Sequence, residues 1–202
     1  MKTKIISVVV LTTCLVSVWL PAQQSAPDLA FPADPDYLLL SFTYIHSMLE
    51  NPDTTPLMQI YGDGRVHVHY PVYMQRAGDY ELQLGNLELR QLLLSLAETG
   101  ALDLDIQELG ELHQLQKELL AQQNLLIYIS DSTEMVINVH LEFYKPPGTS
   151  AQIDNFQKSV RWSNVAQEAQ LFPELIELQG LAEAERQLQA ILERVNLRSV
   201  ED

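Results

Sequence analysis

Cysteine is almost absent from this chain. Its 202 residues include a single Cys, at position 14, so no intramolecular disulfide can form. The acceptor sequence for N-glycosylation, Asn-x-Ser/Thr, does not occur at all. Small exported domains usually rely on disulfides, but a chain of roughly 180 residues can bury a core without them. If the protein is exported, these two absences fit a bacterial periplasm or surface better than a eukaryotic secretory route.

Positive charge is also scarce. The chain has 12 Lys and Arg against 27 Asp and Glu, a net charge of −15 at pH 7. Nucleic-acid binding depends mainly on cationic contacts with phosphate, and anionic lipid surfaces attract polybasic segments. The charge balance therefore argues against both as partners. An unknown protein or small molecule is the expected partner, and the negative charge favours a dissolved monomer.

Local catalytic signatures are missing as well. The sequence has no Gly-x-Ser-x-Gly elbow. It also has no His-Glu-x-x-His, no glycine-rich phosphate loop and no calcium loop. A catalytic triad assembled from distant positions leaves no such signature, so an enzyme is not excluded. The sequence favours a non-enzymatic binding or interaction module, and it predicts no catalytic or cofactor-binding residue.

Residues 1–22 have the three parts of a secretory signal. Lys2 and Lys4 form a positive start, residues 5–20 carry no charge, and Pro21 and Ala22 end the apolar run. This run is shorter than the roughly 20 residues that span a bilayer. We therefore expect cleavage after Ala22 or Ala26 and an extracytoplasmic, most simply periplasmic, mature protein. Removal of the two lysines brings its net charge to −17.

Two other fates of this segment are open. An uncleaved signal would anchor the chain in the membrane. Residues 11–14 resemble a lipid-attachment box, which would place a lipid on Cys14. Thr13 is bulkier than the residue expected before that Cys, and the mature chain would begin with an apolar run. Cleavage of the whole signal agrees better with the sequence.

The pattern after the signal predicts strands and hairpins. The Pro/Ala-rich residues 23–36 predict an extended, poorly ordered leader. The apolar segment 37–46 predicts a first strand, and 80–84 alternates as a half-buried strand. Segments 125–130 and 134–144 predict one hairpin, because the second of them alternates strictly in hydrophobicity.

The other predicted hairpin covers residues 57–70. Gly62-Asp63-Gly64 separates two alternating runs, and a three-residue turn with a glycine at positive φ is a common hairpin connection. This turn places Met58 opposite Val68 and Ile60 opposite Val66, on one face. The histidines and Arg65 then share the other face.

Two helices are predicted between the hairpins, over 87–98 and 106–122. Gly100 stops the first, and Asp105 with Glu108 resembles a capping box for the second. Leucines at helical spacing give each helix an apolar stripe, which in the second contains Ile106, Leu109, Leu112, Leu115 and Leu119.

The fold class that follows is α+β. A largely antiparallel sheet, built from two hairpins and two further strands, is covered by two helices. This domain spans residues 37–145, Pro146-Pro147-Gly148 opens a linker over 146–162, and a helical segment occupies 163–196. The C-terminal helix is expected to pack on its own domain. An oligomerisation surface is the alternative for that helix.

Two histidines form the most plausible chemical site. His67 and His69 are two apart in a strand, so both imidazoles project from one face. Zinc or copper accepts such ligands, and His140 or Glu142 could supply a third. The positive charge of Arg65, on the same face, would repel a bound dication. A strand with one face in water also needs polar residues at these positions without any metal. The sequence favours no cofactor, with a metal site at His67, His69 and His140 as the alternative.

A pair of aspartates gives a weaker candidate. Asp103 and Asp105 could be read as metal-binding carboxylates. The helix pattern after Asp105 already accounts for that residue as an N-cap, with Asp103 in the approach loop. Capping is therefore the preferred interpretation.

Overall fold

The computed structural model describes residues 25–46, 53–123, 125, 132–194 and 196–200. The predicted export signal lies outside them. Within them, eight strands form an antiparallel sheet accompanied by four helices, which confirms the α+β class. None of the described helices is long and apolar enough to cross a membrane. The elements are β1 (Asp28–Ala30), β2 (Leu38–His46), β3 (Met58–Tyr61), β4 (Arg65–Tyr70), β5 (Gly78–Gln83), α1 (Asn86–Glu98), α2 (Ile106–Gln122), β6 (Thr133–Lys145), β7 (Ile153–Ser163), α3 (Val165–Leu171), α4 (Ile176–Leu192) and β8 (Arg198–Ser199).

The order of strands across the sheet is β7-β6-β2-β3-β4-β5-β8. Strands β2 to β5 form a meander. After α1 and α2 the chain returns to place β6 beside β2, and β7 then pairs with the other edge of β6. β1 pairs with the C-terminal end of β6, along the same edge of β6 that pairs with β2. The short β8 lies beside β5 at the opposite end of the sheet.

The local predictions for β2 to β5 are confirmed. Met58 pairs with Val68 and Ile60 with Val66, and all four side chains are fully buried. Gly64 has φ +86°, as the predicted turn requires, and its N–H donates to the Tyr61 carbonyl over 2.9 Å. Alternation and turn chemistry therefore determine this hairpin.

Both predicted helices are confirmed as α1 and α2. Gly100, at φ +81°, follows the end of α1. The Asp105 carboxylate accepts hydrogen bonds from the N–H groups of Gln107 and Glu108, at 2.9 and 3.1 Å, so Asp105 is the N-cap of α2.

One face of the sheet packs against the helices. The Tyr44 hydroxyl donates to Glu185 over 2.7 Å, and the Tyr70 hydroxyl donates to the Leu192 carbonyl over 2.9 Å, so α4 crosses β2 and β4. Gly180 of α4 lies directly against the carbonyl of Thr99, at the end of α1. The C-terminal helix therefore packs within the chain, as expected. The shared core includes Phe42, Ile60, Val66, Ile137, Leu89, Leu93, Leu181 and Leu188.

Three predictions about chain organisation are wrong in part. The leader is not poorly ordered throughout, because β1 pairs with β6 and Leu29 is buried at its centre. The linker predicted over 146–162 ends at the start of β7, at Ile153. β6 forms its hairpin with β7, and β2 fills its other edge from Thr133 to Val139. The strand predicted at 125–130 lies outside the described residues, except for Leu125.

Candidate functional site

Polar residues form a continuous row on the sheet face opposite the helices. Residues that alternate with the core positions face this side. Neighbours along the row are paired between adjacent strands, and the Asn138 amide donates to the Ser41 hydroxyl over 3.0 Å. The row is Ser159, Asn138, Ser41, Gln59, His67, Glu81 and Arg198.

His67 and His69 share this face, as their spacing predicted, and Asp79 of β5 lies between them. His69 Nδ1 is 2.8 Å from Asp79 Oδ1, and His67 Nε2 is 3.4 Å from the same oxygen. The second ring nitrogen of His69, Nε2, is 3.0 Å from Asp53 Oδ2. Both nitrogens of His69 therefore face carboxylate oxygens, which can only accept hydrogen bonds when ionised.

This geometry favours the charged forms of His69 and Asp53. The hydrogen bond to Asp79, supported by the one to Asp53, raises the pKa of His69 against the opposing effect of burial. The Thr55 N–H and then His69 lower the pKa of Asp53 to about 2. The arrangement favours a His69 imidazolium that bridges two carboxylates, and in that form neither ring nitrogen has a lone pair for a metal.

The structure does not bring the third predicted ligand to this pair. His140 is exposed on β6, and β2 and β3 lie between β6 and β4. Three strand spacings separate the backbones by roughly 14 Å. Among the described residues, no three His, Cys, Asp or Glu side chains are placed to hold a metal ion.

Asp103 and Asp105 have separate roles. Asp105 caps α2, as preferred from the sequence, while Asp103 accepts a hydrogen bond of 2.7 Å from the Tyr144 hydroxyl. Burial, together with Asp103, raises the pKa of Tyr144. The hydrogen bond between Asp103 and Tyr144 therefore connects the end of β6 to the loop before α2.

Contacts to a buried carboxylate hold α2 against α3. The Glu168 carboxylate is 7% exposed and lies 2.5 Å from His113 Nε2 and 3.5 Å from Lys117 Nζ. The His113 ring also packs edge-on against Trp162 and Phe172, at centroid distances of 5.3 and 4.7 Å. The inward face of α2 is therefore polar at its middle.

The predicted apolar stripe of α2 is only partly buried. Leu109 is fully buried, but Leu112, Leu115 and Leu119 are 39%, 52% and 43% exposed. Their spacing of three and four residues puts these three on one side of the helix. Ile176, at the start of α4, is 76% exposed and lines a cavity of about 340 Å³ together with Leu112. We call Leu112, Leu115, Leu119 and Ile176 the leucine surface.

Carboxylates accompany the leucine surface. His113 and Lys117 of α2 both lie within ion-pair distance of the Glu168 carboxylate. The Lys117 side chain is 38% exposed but lies against Glu168. The other exposed charged side chains of α2, and the one next to Ile176 in the sequence, are acidic. They are Glu108, Glu111, Glu118 and Glu177. Such a surface can bind an apolar group that carries positive charge at its margin.

Sequence reasoning missed this surface for an identifiable reason. It assigned the apolar stripe of α2 to the core, as is usual for an amphipathic helix. Leu109, His113 and Lys117 also recur at helical spacing, and this second stripe was the available signal.

No protein family model, curated protein or solved structure matches this chain.

Proposed function

We propose that this chain is an exported, non-enzymatic binding module whose leucine surface takes up a cationic amphipathic helix of a partner protein. The observation that carries this proposal is the exposure of Leu112, Leu115 and Leu119 beside carboxylates. An apolar helical ridge is a common docking site for the apolar face of another helix. Positive charges flanking that face would meet Glu108, Glu111 and Glu118.

The apolar contacts supply a useful part of the affinity. Complete burial of a leucine side chain is worth about 1.5–3 kcal/mol. The three leucines are each exposed by 39–52%, so covering one contributes roughly 1 kcal/mol and covering all three about 3 kcal/mol. Opposite charges add selectivity and speed association more than they add affinity. Neutral and acidic helices should therefore bind less well than a basic one.

A designed peptide tests this proposal. We expect the purified full chain to bind a Leu/Lys peptide of about 18 residues with its leucines on one helical face. A peptide of the same composition, scrambled so that no apolar face forms, should not bind. A Leu/Glu peptide with the original pattern should also fail, because it places carboxylates against Glu111 and Glu118. Fluorescence anisotropy measures all three.

Substitutions locate the contact. Leu115→Gln should weaken binding of the Leu/Lys peptide about fivefold, the equivalent of roughly 1 kcal/mol. Leu87→Gln is the matched control, because Leu87 is 71% exposed on α1 and lies outside the leucine surface. Equal effects of the two substitutions, or equal binding of the scrambled peptide, would contradict the proposal. A dimer that Leu115→Gln dissociates would replace the heterologous partner with a second copy of the chain.

Export is supported by the sequence of residues 1–22. The positive start and uncharged stretch of that segment are those of a secretory signal. Val9→Arg places a charge in the middle of the stretch, at a cost of about 2.5–3.5 kcal/mol at the centre of a membrane helix. We expect it to retain the full-length precursor in the cytoplasm, while Thr3→Arg, at the positive end, should still be exported. Native full-length chain found dissolved in the cytoplasm would overturn export.

A further inference from the structure

A second cavity lies at the β8 end of the sheet, away from the leucine surface. β8 pairs with β5 only at Tyr80 and Glu81, and Val200 N–H donates to the Asp79 carbonyl over 2.9 Å. β5 continues past this contact to Leu82 and Gln83. The space beside it is a cavity of about 570 Å³, within the range of small-molecule sites.

Two arginines line this cavity without a carboxylate partner among the described residues. The Arg65 guanidinium donates to the Pro35 carbonyl over 2.8 Å and lies 4.1 Å from the centre of the Tyr61 ring. Arg198 is exposed and stands opposite Glu81 across the strands, but no described carboxylate is within ion-pair distance of it. In a strongly acidic chain, two arginines that line one cavity favour an anion.

The other lining groups indicate more than an anion. The Gln83 side-chain N–H groups donate to the Asp63 and Leu84 carbonyls, at 2.8 and 3.2 Å, which leaves the amide oxygen as an acceptor. Glu81 adds carboxylate acceptors, and Asn196 an amide. A simple inorganic anion has no hydroxyl groups to donate to most of these acceptors and would leave them unpaired. Hydroxyl groups of a ligand would match them.

We infer that this cavity binds a hydroxylated organic carboxylate of sugar size, of the uronic acid class. Arg198 binds the carboxylate, because a guanidinium group matches its planar geometry. Arg65, held by Pro35 and Tyr61, adds positive charge at the wall of the cavity. Glu81 and the Gln83 amide oxygen accept hydrogen bonds from the ring hydroxyls. The site is independent of the leucine surface and of the proposed partner.

Glucuronate, glucose and inorganic phosphate are the probes that test this inference, with the full chain observed by NMR titration. We expect glucuronate to shift the signals of Arg65 and Arg198, while glucose and phosphate do not. Arg198→Gln should weaken glucuronate binding at least about tenfold, as expected for a lost charge-assisted hydrogen bond. Arg161→Gln is the matched control, since Arg161 pairs with Glu134 beside the opposite edge of the sheet.

Each arm of the titration has a contrary outcome. Absence of glucuronate binding overturns the inference, as does equal binding of phosphate, which would mean an unselective anion site. Equal weakening by Arg198→Gln and Arg161→Gln would reduce the effect to net charge. Glu81→Gln adds a readout that does not depend on an arginine: it should weaken glucuronate binding although it removes a negative charge. Tighter binding by Glu81→Gln contradicts the role given to the hydroxyl groups.

Discussion

Replacing Gly180 by Ala tests the contact between α4 and the end of α1. A β-carbon at Gly180 would collide with the Thr99 carbonyl oxygen, whereas a β-carbon at Gly110 would meet nothing within 4 Å. The two glycines are otherwise matched, because each is the fifth residue of a 17-residue helix. Gly110→Ala therefore measures helix propensity alone, and Gly180→Ala measures propensity together with the collision.

The expected magnitudes have opposite signs. Gly→Ala in a helix interior stabilises by about 0.8–1 kcal/mol. Overpacking costs about 1–3 kcal/mol, and the backbone of Thr99 yields less than a side chain, so the upper value applies at Gly180. Gly180→Ala should then lower the free energy of unfolding by about 2 kcal/mol, while Gly110→Ala raises it by about 1 kcal/mol. At roughly 2–4 °C per kcal/mol for a chain of this size, Tm should fall by about 4–8 °C and rise by about 2–4 °C.

Urea and thermal unfolding followed by circular dichroism measure both variants. Unchanged m-values would show that the difference arises in stability and not in the compactness of the unfolded chain. If Gly180→Ala is as stable as Gly110→Ala, then α4 does not lie against the end of α1. The packing described for the helical layer would be refuted.

Two further predictions concern pH. Burial raises the pKa of Glu185 against its hydrogen bonds, so native stability should fall as pH rises above about 4.5. Glu185→Gln keeps an acceptor for Tyr44 and should be more stable than the native chain at pH 8. The urea midpoints of the two chains should converge toward pH 4. A difference in midpoint that does not change with pH would contradict this. The raised pKa of His69 means that its contribution is complete below about pH 6.5 and is lost as pH rises through the folded-state value. His69→Gln should remove that loss. The contribution of Asp53 itself is complete above about pH 4 and is lost as pH falls toward 2. Identical pH profiles for native and His69→Gln chains would refute the bridge.

The β3–β4 hairpin could be predicted because everything that determines it is local. Two alternating runs and one glycine turn specify its register. β7 was missed although Phe156, Val160 and Trp162 alternate within it. The intervening residues include Lys158, and as an edge strand β7 needs few apolar positions. The Pro-Pro-Gly run before it turns a hairpin, but turns and domain boundaries have the same local composition.

The candidate sites, too, could be predicted only where local geometry determines them. That His67 and His69 share a face follows from strand geometry alone. Their partners, Asp53 and Asp79, depend on a loop and on the neighbouring strand, so spacing could not identify them. The exposure of Leu115 depends on the position of Glu168, which lies 53 residues further along the chain and holds the opposite side of α2. Tertiary contacts of this kind have no sequence periodicity.

The position of β6 in the sheet has a consequence for the kinetics of folding. β6 joins β2 to β7, and Ser41 and Asn138, which are hydrogen-bonded across the first of these pairings, are 97 positions apart. Pairings between such distant segments require closure of long loops, so they form slowly. The sheet cannot be completed until most of the chain has been synthesised. Under the proposed export, this delay would prolong the unfolded state in which the chain can be threaded across a membrane.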